Sequence, residues 1–134
     1  MIIKFINKII FLINFLFDNK HFYKKSKSQN NNEENIFLDY LSSFINSKSF
    51  IEIGFHHLEF NCISLIKKNF NGLMIDGGRP INILLLKFIT FILKKNIIIL
   101  RRYLTTDNII ESIIFKNIGC LSLDIDGNDY WILK

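Results

Sequence analysis

Phe-Ile-Glu-Ile-Gly at 50–54 is an apolar run closed by an acid and a glycine, and the pattern returns twice in the chain. It recurs as Gly-Leu-Met-Ile-Asp-Gly at 72–77 and as Leu-Ser-Leu-Asp-Ile-Asp-Gly-Asn-Asp-Tyr-Trp at 121–131. In an open parallel sheet the carboxyl ends of the strands lie along one edge. Glu52, Gly54, Asp76, Asp124 and Asp126 are therefore expected to meet at one crevice, where a nucleoside-like cofactor binds.

Outward from these runs, helical and strand segments alternate from Ile36 onward, the signature of an α/β fold with a parallel sheet. The spacing predicts helix 36–46, strand 49–54, helix 58–69, strand 72–76, helix 80–95, strand 96–101, helix 106–116 and strand 119–125. Pro80 suits the first turn of the third of these helices, where a missing N–H costs nothing. Thr105-Thr106-Asp107 offers a cap for the fourth, through a hydroxyl or carboxylate that accepts an orphan amide.

Before Ile36 the pattern changes. Residues 1–20 begin with MIIKFINKIIFLINFLFD, which places Lys4, Lys8 and Asp18 on one side of a helix and a broad Ile/Phe face on the other. The run from Ile9 to Ile13 stops at Asn14, far short of the ~20 apolar residues of a membrane span. Its apolar face fits packing on the domain or a partner, peripheral contact with a membrane surface, or a signal, although no small-residue cleavage site follows. Residues 21–35 are polar and read as a linker, leaving 36–134 as the folded domain.

Composition bounds the function classes. With 134 residues and 49% hydrophobic content, the chain can fold as one domain with a modest core. Ala and Val are absent while Ile, Asn, Lys, Phe and Leu dominate, the usage that AT-rich codons supply. The net charge of +5 is scattered without the interleaved aromatics of a single-strand groove, so no nucleic-acid partner is expected. Cys62 and Cys120 lie far apart and show neither CxxC nor Cys/His ligand spacing; they read as buried small hydrophobes in a reducing, cytoplasmic compartment, with neither a metal nor a disulfide expected.

The loop after the first strand runs Gly54-Phe55-His56-His57-Leu58, so the G-x-G-x-x-G fingerprint of a pyrophosphate site is absent and a cofactor without pyrophosphate fits better. Asp76 follows Gly54 by 22 positions, close to the spacing at which a carboxylate after the second strand accepts from ribose hydroxyls; a turn aspartate is the simpler alternative. Alternation puts Asp124 and Asp126 on one side of their strand, as two carboxylates at a cleft or a divalent metal require. Asp129 suits a helix cap, and Tyr130 and Trp131 suit core cover. One of His56 and His57 can serve as a base at the crevice.

Together, E-I-G at 52–54, N-C-x-x-L-I-K at 61–67, G-L-M-I-D-G at 72–77 and the 121–131 run resemble FkbM-type and related S-adenosylmethionine-dependent methyltransferases over about residues 48–134. The resemblance implies a Rossmann-like fold in which Glu52 and Gly54 match the first cofactor motif, Asp76 with Gly77 the ribose-binding turn, and Asp124 and Asp126 the acidic end of the fourth strand. It also implies O-methylation of a sugar or other small acceptor, often in polysaccharide biosynthesis, with Asp126, Asp124 and His56 as the catalytic candidates. His56, His57 and Leu58 stand where the family's first motif carries further glycines. The family sheet has three more strands and sets the first and fourth side by side. Here the fourth strand is expected at an edge, so that the chain is the N-terminal part of a longer domain or a second copy covers that edge. Asp-x-Asp after a strand is also the metal and nucleotide-sugar motif of a glycosyltransferase, and a non-catalytic Rossmann unit is the remaining alternative.

Overall fold

The computed structural model describes residues 32–56, 59 and 61–125, together with positions 6, 7, 10 and 133. Its elements are α1 (Asn32–Leu41), β1 (Ser49–Ile53), α2 (Ile63–Lys67), β2 (Asn71–Asp76), α3 (Pro80–Ile92), β3 (Ile97–Arg101), α4 (Ile109–Ser112) and β4 (Cys120–Leu123). The four strands form one sheet in the order β3-β2-β1-β4, and every pairing is parallel. The fold is the α/β, Rossmann-like arrangement expected from the sequence, with β1 and β4 adjacent. Among the described residues β4 pairs only with β1, so it lies at the sheet edge.

Burial explains the strand composition. All five residues of β1 are buried, because the strand is paired on both sides and covered on both faces. Phe50 and Met74 project into a cluster with Ile63, Leu65 and Ile66 of α2 and Ile83, Leu86 and Ile89 of α3. Ile51, Ile53, Leu73 and Ile75 face the other way, against Leu104, Ile109, Ile113 and Phe115. Period-two alternation thus distributes isoleucine and leucine to both layers.

Element limits shift for identifiable reasons. The first helix starts at Asn32, inside the stretch read as linker, and ends at Leu41 rather than 46. Lys68 ties it down, pairing with Asp39 at 3.2 Å and donating to Ser42 Oγ at 2.6 Å. Pro80 occupies the first turn of α3 as expected. Asn69 and Lys94 take positive φ values of 60° and 52° just past α2 and α3, a left-handed exit that stops each helix. The helix expected over 106–116 shrinks to Ile109–Ser112, because β-branched Ile113 turns extended (φ −86°, ψ 108°) and packs beside Ile109 under the sheet. Its start is not capped by the Thr105-Thr106-Asp107 side chains. Asn108 Oδ1 instead accepts from Thr105 N–H at 3.0 Å, and Asn108 Nδ2 donates to Tyr103 O at 3.0 Å.

Most of the N-terminal amphipathic stretch, and Tyr130 and Trp131, lie outside the described residues. Positions 6, 7 and 10 are helical and exposed. Among the described residues no helix is long and apolar enough to cross a membrane.

The closest backbone approach in the sheet sits where β1 ends. Gly54 has φ +79°, and a Cβ there would lie 1.8 Å from the Asp124 carbonyl oxygen. Its N–H donates to Ile75 O at 2.9 Å while Asp124 N–H donates to Ile53 O at 2.9 Å, so β1 is locked to both neighbours at this point. The expected consequence is that Gly54→Ala costs at least ~2 kcal/mol, the left-handed penalty plus the displacement of β4, measured by urea unfolding.

Candidate functional site

The strand order reverses direction between β1 and β4, and a crevice opens at the carboxyl ends of the strands, as expected for an open α/β sheet. Its volume is about 650 Å³. Each strand contributes: Gly54, Phe55 and His56 follow β1, Asp76, Gly77 and Gly78 follow β2, Arg102, Tyr103 and Leu104 follow β3, and Asp124 and Ile125 follow β4.

Local chemistry shapes these turns. Asp76 Oδ1 accepts from Gly78 N–H at 2.5 Å, an Asx-type turn that folds the chain back after β2. Its Oδ2 accepts a long bond from Phe55 N–H at 3.4 Å. A carboxylate offers about four lone-pair sites, so two acceptor directions on Asp76 remain for a ligand. Arg101 Nε donates to Gly78 O at 3.0 Å and clamps the same turn to the end of β3. A Cβ on Gly77 would meet the Tyr103 ring at 2.3 Å, so the missing side chain lets the ring lie over this backbone. Tyr103 is nonetheless 74% exposed, presenting an aromatic edge and hydroxyl at the mouth of the crevice. Arg102 extends beside it, with Nη1 donating to Ser112 Oγ at 2.8 Å. His56 is exposed, and its backbone forms a two-bond bridge with Glu59 at 2.9 and 3.0 Å.

Gly54, Asp76, Gly77, Asp124 and His56 therefore come together at the crevice, as read from the sequence. Glu52 does not join them. It is fully buried on the opposite face of β1, where Oε1 accepts from Asn61 N–H at 2.6 Å and Oε2 from Cys62 N–H at 2.9 Å. The expected cofactor-binding acid thus braces the start of α2 and is not among the residues that line the crevice. Asp126, the first catalytic candidate, lies outside the described residues, as do His57 and Asp129. Tyr103, Arg102 and Leu104 were missed. The signal available was their position directly after the Ile97–Leu100 run, at the same sheet edge as the three acidic turns. Among the described residues no group of three or more His, Cys, Asp or Glu side chains is arranged to hold a metal ion.

Comparison with known proteins finds no matching family model, no matching curated relative and no matching solved structure.

Burial raises the Glu52 carboxyl from its usual 4.5 to about 7, against the two backbone N–H bonds that favour the anion. A carboxyl raised on folding stabilises the fold below its unfolded value, and that contribution is lost as pH climbs through the folded one. Between about pH 5 and pH 7 the wild type should lose roughly 2 kcal/mol through this group. Glu52→Gln, which cannot ionise, should show a correspondingly flatter profile when urea unfolding is measured at both values.

Proposed function

We propose that the crevice binds S-adenosylmethionine and that the protein transfers its methyl group to a hydroxyl of a sugar or other small acceptor. The observation that carries this reading is the convergence of Gly54, Asp76, Gly77 and Asp124 at the β1/β4 switch point of a parallel sheet. A volume of about 650 Å³ suits a nucleoside-sized ligand, within the roughly 300–1,000 Å³ of small-molecule clefts. The unused acceptor directions on Asp76 match the two hydroxyls of a ribose. Gly54 lets the chain after β1 turn past the Asp124 backbone without displacing β4 from the crevice wall.

When bound, the cofactor supplies an electrophilic methyl group on a sulfonium. Asp76 holds the ribose, and the Gly77 backbone with the Tyr103 ring bounds the nucleoside end. His56 and Asp124 stand on the remaining walls, where either accepts the proton of the acceptor hydroxyl as its oxygen becomes nucleophilic. Asp126 follows Asp124 by two positions and is the further acid proposed for orienting the acceptor. Peripheral membrane contact through residues 1–18, and a second copy against the β4 edge, belong to the same proposal.

S-adenosylhomocysteine is the stable probe. At about 100 times its dissociation constant it should stabilise the protein by roughly 2.7 kcal/mol, read as a thermal shift. Asp76→Asn keeps the Oδ1 acceptor for Gly78 N–H but turns Oδ2, which accepts the long bond from Phe55 N–H and is proposed to face the ribose, into a donor. Calorimetry should show it weakening the probe by about tenfold, worth ~1.4 kcal/mol. A shift with NAD alone overturns the assignment. Binding of a nucleoside diphosphate only with manganese, and none of S-adenosylhomocysteine, replaces methyl transfer with sugar transfer.

A further inference from the structure

We propose that Cys62 and Cys120, 58 residues apart in sequence, form a dithiol that peroxide closes to an intramolecular disulfide. The site lies on the α2 face of the sheet, away from the crevice, and stands independently of the methyl-transfer reading.

Strand register brings the two cysteines together. Phe50 is opposite Cys120 and Glu52 is opposite Ser122 in the β1–β4 pairing. Asn61 Nδ2 reaches across to Ser122 Oγ at 3.1 Å, and the next residue, Cys62, donates its N–H to Glu52. Two anchors, one at Asn61 and one at the Cys62 amide itself, therefore hold Cys62 over the β1–β4 pair. Both cysteines belong to the same apolar layer, Cys62 inside the buried cluster and Cys120 packed against it. They are free thiols in this structure.

The two sulfurs are unequal. Cys62 is fully buried, whereas Cys120 is half-buried on β4, which is the sheet edge among the described residues. The neighbouring Cys120 and burial push the Cys62 thiol well above its ordinary range. The Cys62 thiol in turn draws Cys120 from 9.0 to about 7, against its partial burial. Cys120 is therefore the attacking thiolate and Cys62 the resolving thiol. Cys120 sulfur attacks one peroxide oxygen, the O–O bond breaks, and the departing hydroxide takes a proton and leaves as water. Cys62 then gives its proton to the Glu52 carboxylate beside it, and its sulfur attacks the Cys120 sulfenic acid. The S–O bond breaks, the proton leaves with the hydroxyl as a second water, and an S–S bond remains. Two thiols are oxidised and one peroxide is reduced.

The test uses the reduced full chain, freed of reductant and exposed to a modest excess of hydrogen peroxide at neutral pH. Both thiols should disappear together, the monomer should lose two hydrogens by mass, and a peptide map without reductant should link the segments holding residues 62 and 120. Dithiothreitol should reverse all three. The oxidised chain should unfold roughly 10 °C higher, since a long loop is closed. In Cys62→Ser the Cys120 sulfur should gain oxygen instead, and in Cys120→Ser the Cys62 thiol should survive. The wild-type result decides the matter even if a variant folds poorly. Unreacted thiols, oxygenated Cys120 beside a free Cys62, or disulfides only between chains would each overturn the proposal.

Discussion

The contact between Gly54 and the Asp124 carbonyl sets the position of everything else at the functional edge. A sheet of parallel strands brings its carboxyl ends together in any case, but the width of the opening depends on how closely the chain after β1 passes β4. With φ +79° and no side chain, Gly54 turns away beneath Asp124 while keeping its N–H on β2. Any Cβ would push β4 outward, and β4, paired on only one side among the described residues, has little to resist that push. The spacing of β1 and β4 at the crevice is thus set by a backbone constraint and not by the acidic side chains beside it.

One strand serves two faces with different chemistry. Gly54 ends β1 in the crevice, and two residues earlier Glu52 reaches the opposite layer to hold the first amides of α2. A buried carboxyl costs stability unless hydrogen-bonded, and here the two backbone donors offset part of the desolvation without cancelling it. The residual mismatch is why its ionisation is displaced toward neutrality. Glu52 also connects the two sulfurs to the frame: it fixes Cys62 through the backbone, and its register partner Ser122 fixes Asn61.

The sequence was legible where its signals are local. Apolar runs ending in acid and glycine located β1, β2 and β4, the Ile97–Leu100 run located β3, and Pro80 marked the start of α3. Asp76 was identifiable because a turn carboxylate two residues before Gly78 bonds within its own loop. Glu52 was misplaced because alternation says which residues share a face but not which end of a side chain finds a partner, and the amides that hold it lie nine and ten residues away. The limits of α4 escaped because isoleucine periodicity fits a helix as well as the extended stretch that begins at Ile113. Tyr103 and Arg102 escaped because neither forms a motif, and only the placement of β3 at the shared edge gives them a role.

The pairing of Cys62 with Cys120 belongs to the same class of fact. Nothing in their spacing announces it, since β4 returns to β1 only after the chain has passed through β2 and β3. Once the strand order is fixed, their proximity follows from register alone: Cys120 enters opposite Phe50, and α2 begins over Glu52 one pleat further along. Long-range pairing therefore creates both the crevice and the dithiol from the same β1–β4 contact, on opposite faces of the sheet. A change that separates these strands must disturb both, whereas one confined to the crevice wall, such as replacement of Asp76, leaves the sulfurs in place.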